Sequence, residues 1–274
     1  MKTYPTIPRV DEAPEGIFDS GHLWLLEKID GAQLRFQLRE SGALRIGDRD
    51  RVYDDPEDIP EPYDHAVRHV RERLDRDALR DAVDDVESVV LFGEATHYHT
   101  IEYDWDRLPS FLGFDVWSGS GGSFRPPGAV QAIFERLGLA PVNAIERERH
   151  TRDFDPDSYT VPDSAWYDGP AAGVVARNKR GGRATLIHPE FQGETPSPDP
   201  GLTAETVVAE RVSEPRLRAL EAELTRRDGA VTFDTLYDRA VTDVLRTEHG
   251  RLRSIDRPEL RSEIASRTRT FLDG

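Results

Sequence analysis

The sequence predicts an α+β fold, with antiparallel sheets at the front of the chain and a small all-helical domain at its end. Three observations carry this expectation. Short apolar or alternating runs, each closed by a glycine or a turn, recur between residues 22 and 187 and read as strands. Spacings of three and four mark helices among them at 64–84 and 127–138. Beyond Thr195-Pro196-Ser197-Pro198-Asp199-Pro200-Gly201 the apolar spacing is helical. The implied domains are 1–200 and 201–274, a principal domain with a smaller appendage.

Residues 1–20 carry Pro5, Pro8, Pro14 and Gly16 and read as turn-rich, irregular chain. His22-Leu23-Trp24-Leu25-Leu26-Glu27 is a strand that delivers Lys28 at its end, and Gly31 permits a close turn into the returning strand Leu34–Leu38. Leu44–Gly47 follows a Ser41-Gly42 turn as the next strand. Ala66, Val67, Val70, Leu74, Ala78, Leu79 and Val83 predict one helix over 64–84. Val86 to Glu94 and Phe111 to Trp117 read as buried strands. Pro127 opens and Gly138 closes the next helix. Ala172–Arg177 and Arg183–Ile187 form a hairpin through Arg180-Gly181-Gly182. The helical domain shows three stripes. They are Leu217, Leu220 and Leu224; then Phe233, Leu236, Ala240 and Val244 behind an N-cap at Thr232; then Leu260, Ile264 and Phe271, opened by Asp256 with Glu259 three residues on.

The absence of cysteine excludes disulfides, thiolate catalysis and cysteine-ligated metals. No apolar run is long enough to span a bilayer and no signal-peptide core follows Met1, so a cytoplasmic location without membrane partners is expected. The formal charge of −16 would ordinarily oppose nucleic-acid binding. Abundant acid, arginine in place of lysine and 37% hydrophobic residues also match adaptation to high salt, that is, a halophilic protein. At molar salt the Debye length falls to roughly 3 Å and acidic self-repulsion is screened. Charge on that reading marks environment and says little about partners.

Only three of the 36 basic residues are lysine (Lys2, Lys28 and Lys179), leaving 33 arginines. An amine can lose its proton and attack an electrophile, whereas guanidinium stays protonated. A lysine kept inside Lys28-Ile29-Asp30-Gly31 of such a chain is therefore a candidate covalent nucleophile.

Lys28-x-Asp30-Gly31, then Leu91-Phe92-Gly93-Glu94, then Phe111-x-x-Phe114-Asp115-Val116, then Gly173-Val174-Val175 follow one another in an order that resembles the covalent nucleotidyltransferases. Within that superfamily the chain looks most like the RNA ligase family, in particular its RNA ligase 2-like branch with a helical C-terminal domain. The resemblance covers roughly residues 22–191. It implies an antiparallel-sheet nucleotidyltransferase (ATP-grasp-like) domain over 1–200, ATP and Mg2+ or Mn2+ as cofactors, and broken or nicked RNA ends as partner, as in RNA repair. Lys28 then attacks the α-phosphorus of ATP and forms lysyl-AMP. Glu27, Asp30 and Gly31 help hold nucleotide and lysine, Arg49 lies near the ribose and the reacting RNA end, Glu94 takes the ribose hydroxyls, and Phe114 stacks on adenine.

Two positions depart from the family pattern. Ala172 stands where a metal-placing glutamate is expected, and Thr185 where a lysine contacts the α-phosphate. Losing one such preorganised contact costs ~10²–10³-fold in rate. Asp168 or Glu190 for the carboxylate, and Lys179 or Arg183 for the cation, are the candidate substitutes. Two functions stay open: an ATP-dependent RNA ligase, or a degenerate homologue that binds nucleotide or RNA without efficient adenylylation. A DNA acceptor is a further alternative, although DNA ligases usually carry an OB-fold where this chain has helical stripes.

The sequence assigns no metal ligands. His97 and His99, two apart with Glu102 and Asp104 nearby, read either as zinc ligands or as part of a polar loop. Asp153-Phe154-Asp155-Pro156-Asp157-Ser158 lacks the glycine and terminal glutamate of a calcium loop and reads as solvated chain.

Overall fold

The structure is a computed structural model describing residues 1–14, 16–192 and 201–274, so all of the proline-rich break except Gly201 lies outside the described residues. The chain forms two compact units, Met1–Thr96 with Ile101–Glu194, and His97–Thr100 with Thr195–Gly274.

The first unit holds two antiparallel sheets. Strands β1 (His22–Lys28), β2 (Ala32–Leu38), β3 (Leu44–Gly47), β4 (Val52–Tyr53), β5 (Val89–Ala95), β6 (Phe111–Ser118), β7 (Ser123–Phe124), β8 (Ala144–His150), β9 (Gly173–Asn178) and β10 (Arg183–Ile187) divide between them. One sheet has the order β10-β9-β1-β8 and the other β4-β3-β2-β5-β6-β7. The chain changes sheets in the three residues between β1 and β2, which puts Lys28 where the sheets part.

Alternation explains the larger core. Leu34, Phe36 and Leu38 of β2, Leu91 of β5 and Phe111 and Val116 of β6 share a face with Ala66, Val67 and Val70. The last three belong to α1 (Asp64–Arg73), and Val130 and Phe134 of α3 (Pro127–Arg136) complete the layer.

Two expectations need correction, and one strand is an addition. The helix predicted over 64–84 is two, α1 and α2 (Arg76–Ala82). Leu74 is extended at φ −61°, ψ 117°, and Asp75 caps α2 by accepting from the Ala78 N–H at 2.8 Å. The Asp75 N–H meanwhile donates to the Leu137 carbonyl at 2.9 Å, so side-chain capping and a tertiary bond together override the periodicity. The strand predicted from Val86 begins at Val89, after a short 3-10 turn. Strand β8, which pairs with β1, carries the charged pattern AIERERH and offers no apolar alternation to read. Charge is normal on such an edge.

The second unit contains α4 (Ala204–Arg211), α5 (Glu214–Asp228), α6 (Phe233–Thr247) and α7 (Arg257–Asp273). Leu217, Leu220, Leu236, Val244, Leu260 and Ile264 meet in its core. The expected caps are present: Thr232 forms a capping box with Thr235, and Asp256 accepts from the Glu259 N–H at 2.8 Å. Helix α4 is an addition to the three predicted stripes. No helix among the described residues is long and apolar enough to cross a membrane.

Candidate active site

A cavity of about 550 Å³ opens in the first unit where the two sheets diverge. Its walls come from β1 (Leu26, Glu27, Lys28), β2 (Ala32, Gln33), β5 (Glu94), β6 (Phe114), β9 (Val175, Arg177) and β10 (Thr185, Ile187). Six of the seven predicted site residues line it: Glu27, Lys28, Gly31, Arg49, Glu94 and Phe114. The seventh, Asp30, has its carboxylate turned to the Ile101 N–H at 3.1 Å, while its own N–H donates to the Tyr103 hydroxyl at 2.9 Å. It braces the loop after Lys28.

Lys28 ends β1, paired to Gly173 of β9, and its half-buried ammonium donates to the Ile29 carbonyl at 3.3 Å. Gly31 has no positive φ, so a left-handed turn does not explain it. A Cβ there would lie 2.5 Å from the Ala95 carbonyl oxygen and 2.9 Å from Glu94 Cγ. Glycine is what lets the Lys28 loop lie against β5.

Burial pushes the Glu94 carboxyl up from 4.5 to about 7, partly offset by the Lys28 ammonium and reinforced by Asp30. Glu27 is buried, and its carboxylate accepts from Asn143 Nδ2 at 3.0 Å, Ser164 Oγ at 2.6 Å and the Ala165 N–H at 3.3 Å. Those bonds fix the strand that presents Lys28.

Phe114 owes its position to a β-bulge. Phe92 pairs with Asp115 and Gly93 with Gly113, which leaves Phe114 as the extra residue and turns its ring toward the cavity. Next to it, Asp115 is fully buried. It accepts from Arg177 Nη2 (3.0 Å), Arg183 Nη2 (2.5 Å), the Tyr4 hydroxyl (2.9 Å) and the Val116 N–H (2.9 Å). Arg177 also donates to the Phe114 carbonyl at 2.6 Å, so the ion pair clamps the bulge.

The N-terminal strap is the part that sequence reasoning missed. Tyr4, Pro5, Ile7 and Arg9 form one wall of the cavity, and Tyr63 adds to it. The Thr185 N–H donates to the Pro8 carbonyl at 2.8 Å, and Arg9 bridges Thr185 in parallel fashion. Arg9, Lys28 and Arg49 face Glu27 and Glu94 around the cavity, a basic balance inside a chain of net charge −16, while Arg177 is paired with Asp115. A cavity of that sign suits an anionic ligand.

None of the four candidate substitutes lines the cavity. Lys179 pairs with Glu148 at 2.9 Å on the surface, and Arg183 is committed to Asp115. Asp168 and Glu190 are likewise absent from its walls. Ala172 is buried in an apolar cluster with Leu26, Ile29 and Leu112.

The chain matches the family model for RNA ligase over residues 21–186, more than half its length. It belongs to the RNA ligase family. No curated protein sequence matches it. Among solved structures it is similar to an archaeal ATP-dependent RNA ligase at 14% identity and TM-score 0.50, covering 99% of this chain and 63% of that one. A Naegleria gruberi RNA ligase with PPi shares 14% identity at TM-score 0.52, covering 70% and 57%. A mutant of the same Naegleria gruberi enzyme with ATP and Mn gives 14% and 0.51, over 69% and 57%. At these identities the likeness is one of fold, that of nucleotidyltransferase-type ligases, and the chain spans under two thirds of each of these structures' chains.

Proposed function

We propose that this RNA-ligase family member is an ATP-dependent RNA ligase that works through lysyl-AMP. The observation that carries the reading is the convergence of Lys28, Glu94 and Phe114 on one basic cavity at the parting of two sheets. Adenine enters between Phe114 and the apolar wall of Leu26, Val142 and Val175, a slot suited to a planar base. Glu94 accepts from the ribose hydroxyls. Lys28 Nζ, having given its proton to solvent, attacks the α-phosphorus; the N–P bond forms as the bond to pyrophosphate breaks. The AMP then passes to an RNA 5′-phosphate, freeing the lysine, and a 3′-hydroxyl attacks that phosphate and expels AMP.

Arg9 serves as the phosphate cation that Thr185 cannot provide, because the bridge between them brings Arg9 beside the position where the family has lysine. Magnesium or manganese fits this cavity as an ion carried by the nucleotide phosphates. Glu27 is occupied by Asn143 and Ser164, Ala172 offers no ligand and Glu94 is given to the ribose, so phosphate oxygens and water would hold the ion. When bound, the ion neutralises the phosphates and orients the pyrophosphate.

Ala172 and Thr185 favour a second reading, a degenerate homologue that binds nucleotide without turnover. The separating experiment supplies ATP, Mg2+ or Mn2+ and molar salt together with nicked RNA and nicked DNA duplexes. Sealing of the RNA supports the proposal and sealing of DNA alone reassigns the acceptor. Nucleotide binding without adduct or sealing selects the second reading.

A further inference from the structure

The chain contains a cluster that the ligase chemistry leaves unused. His97, His99 and His249 each offer a ring nitrogen, and these atoms all lie within 4.8 Å of one another. The ring centroids are 4.7 Å apart for His97–His99, 4.4 Å for His97–His249 and 5.3 Å for His99–His249. His97 is buried and the other two are half-buried. All three belong to the second compact unit, because the segment His97–Thr100 groups with the helices.

The backbone is built to hold this arrangement. The Tyr98 N–H donates to the Arg246 carbonyl at 2.8 Å, and the Gly250 N–H donates to the Tyr98 carbonyl at 3.0 Å. A Cβ on Gly250 would lie 2.9 Å from the His99 carbonyl oxygen, so a side chain at 250 would push the segment away. The Arg251 guanidinium covers the Tyr98 ring at 4.4 Å. Two histidines of the His97–Thr100 segment are thus pinned against a third contributed just after α6.

We propose that His97, His99 and His249 form a divalent transition-metal site, occupied by zinc, with solvent in the fourth position. Imidazole nitrogens around tetrahedral zinc at 2.0–2.1 Å lie roughly 3.3 Å apart, so closing this cluster asks each ring to move by less than about 1 Å. An all-imidazole set with no thiolate suits zinc, copper or nickel, and excludes magnesium and calcium, which take oxygen ligands. The carboxylates expected beside the pair are engaged elsewhere. Glu102 accepts from Trp105 Nε1 at 3.4 Å and Asp104 pairs with Arg107 at 3.9 Å. The third ligand is instead His249, 150 positions beyond His99 in the sequence and invisible to local spacing.

Bound zinc would staple the His97–Thr100 segment to the helical unit. This role is independent of the proposed ligation, and its test needs no ATP. The full chain, stripped with chelator, is titrated with Zn2+ against a chromophoric competitor, and with Co2+ for its tetrahedral absorption. We expect one equivalent per chain. His97→Ala, His99→Gln and His249→Ala should each weaken binding by at least about 100-fold, while His150→Ala in the first unit leaves it unchanged. Far-UV circular dichroism of each variant establishes that it is folded, and His99→Gln, at a half-buried position, remains informative if His97→Ala is not. Absence of stoichiometric binding to the folded wild type, or binding that survives all the cluster variants, would reduce the three rings to packing and overturn the proposal.

Discussion

Asp115→Asn tests the clamp behind the base-binding wall. The change is isosteric; it removes the charge that two buried guanidinium groups share and replaces one accepting oxygen with a donor. Arg177 and Arg183 are 3% and 8% exposed, at 3.0 and 2.5 Å from the carboxylate, and Asp115 itself is fully buried. Breaking a buried ion pair by removing one partner costs about 3–5 kcal/mol, because a charge is left without compensation in a poorly solvated place. Salt does not relieve that cost, since buried pairs are weakly screened. All four tryptophans, Trp24, Trp105, Trp117 and Trp166, lie in the β-sheet unit, so their fluorescence follows its unfolding in urea separately from the helices. With a slope of about 2 kcal/mol/M, the midpoint should fall by about 1.5–2.5 M. Arg183→Met should cost less in the Asp115→Asn background than in the wild type, since the two share one network. A midpoint shift below about 0.5 M, or strict additivity, would refute the clamp.

Three other outcomes follow from the cavity. Glu94 has its folded value raised from 4.5 to about 7, so the folded protein binds more protons than the unfolded one in that window. Stability of the nucleotide-free protein should therefore fall as pH rises from 4.5 to about 7, and Glu94→Gln should flatten that slope in urea melts. Gly31→Ala forces a Cβ to 2.5 Å from the Ala95 carbonyl oxygen; it should cost about 1–3 kcal/mol and lower adenylate formation, and an unchanged melt would contradict the close-approach role. Arg9→Ala should slow adenylylation by ~10²-fold with little change in melting, whereas Arg9→Lys retains part of the rate; equal rates in all three would remove Arg9 from the phosphate site.

Local chemistry made much of this architecture legible. Lys28 stood out because the chain holds so few lysines, and β1, β2, β3, β6, α3 and the β9–β10 hairpin follow from alternation, capping and glycine turns. Other features depend on distant partners. The Phe114 bulge exists only in the register of β5 against β6, and α1 ends where Asp75 finds the Leu137 carbonyl. The strap through Arg9 carries no periodic signal and gains its place from pairing with Thr185, while β8 is a charged strand recognisable only beside β1. His249 likewise joins His97 and His99 across a separation that no motif spans.

The central claim is that Lys28 carries AMP. Incubation with α-labelled ATP and Mg2+ or Mn2+ at molar salt, followed by peptide mapping, measures it directly. The account predicts an acid-labile label on the peptide containing Lys28, absent from Lys28→Ala. An unlabelled wild type under every metal and salt condition, or a label that persists in Lys28→Ala, would contradict it.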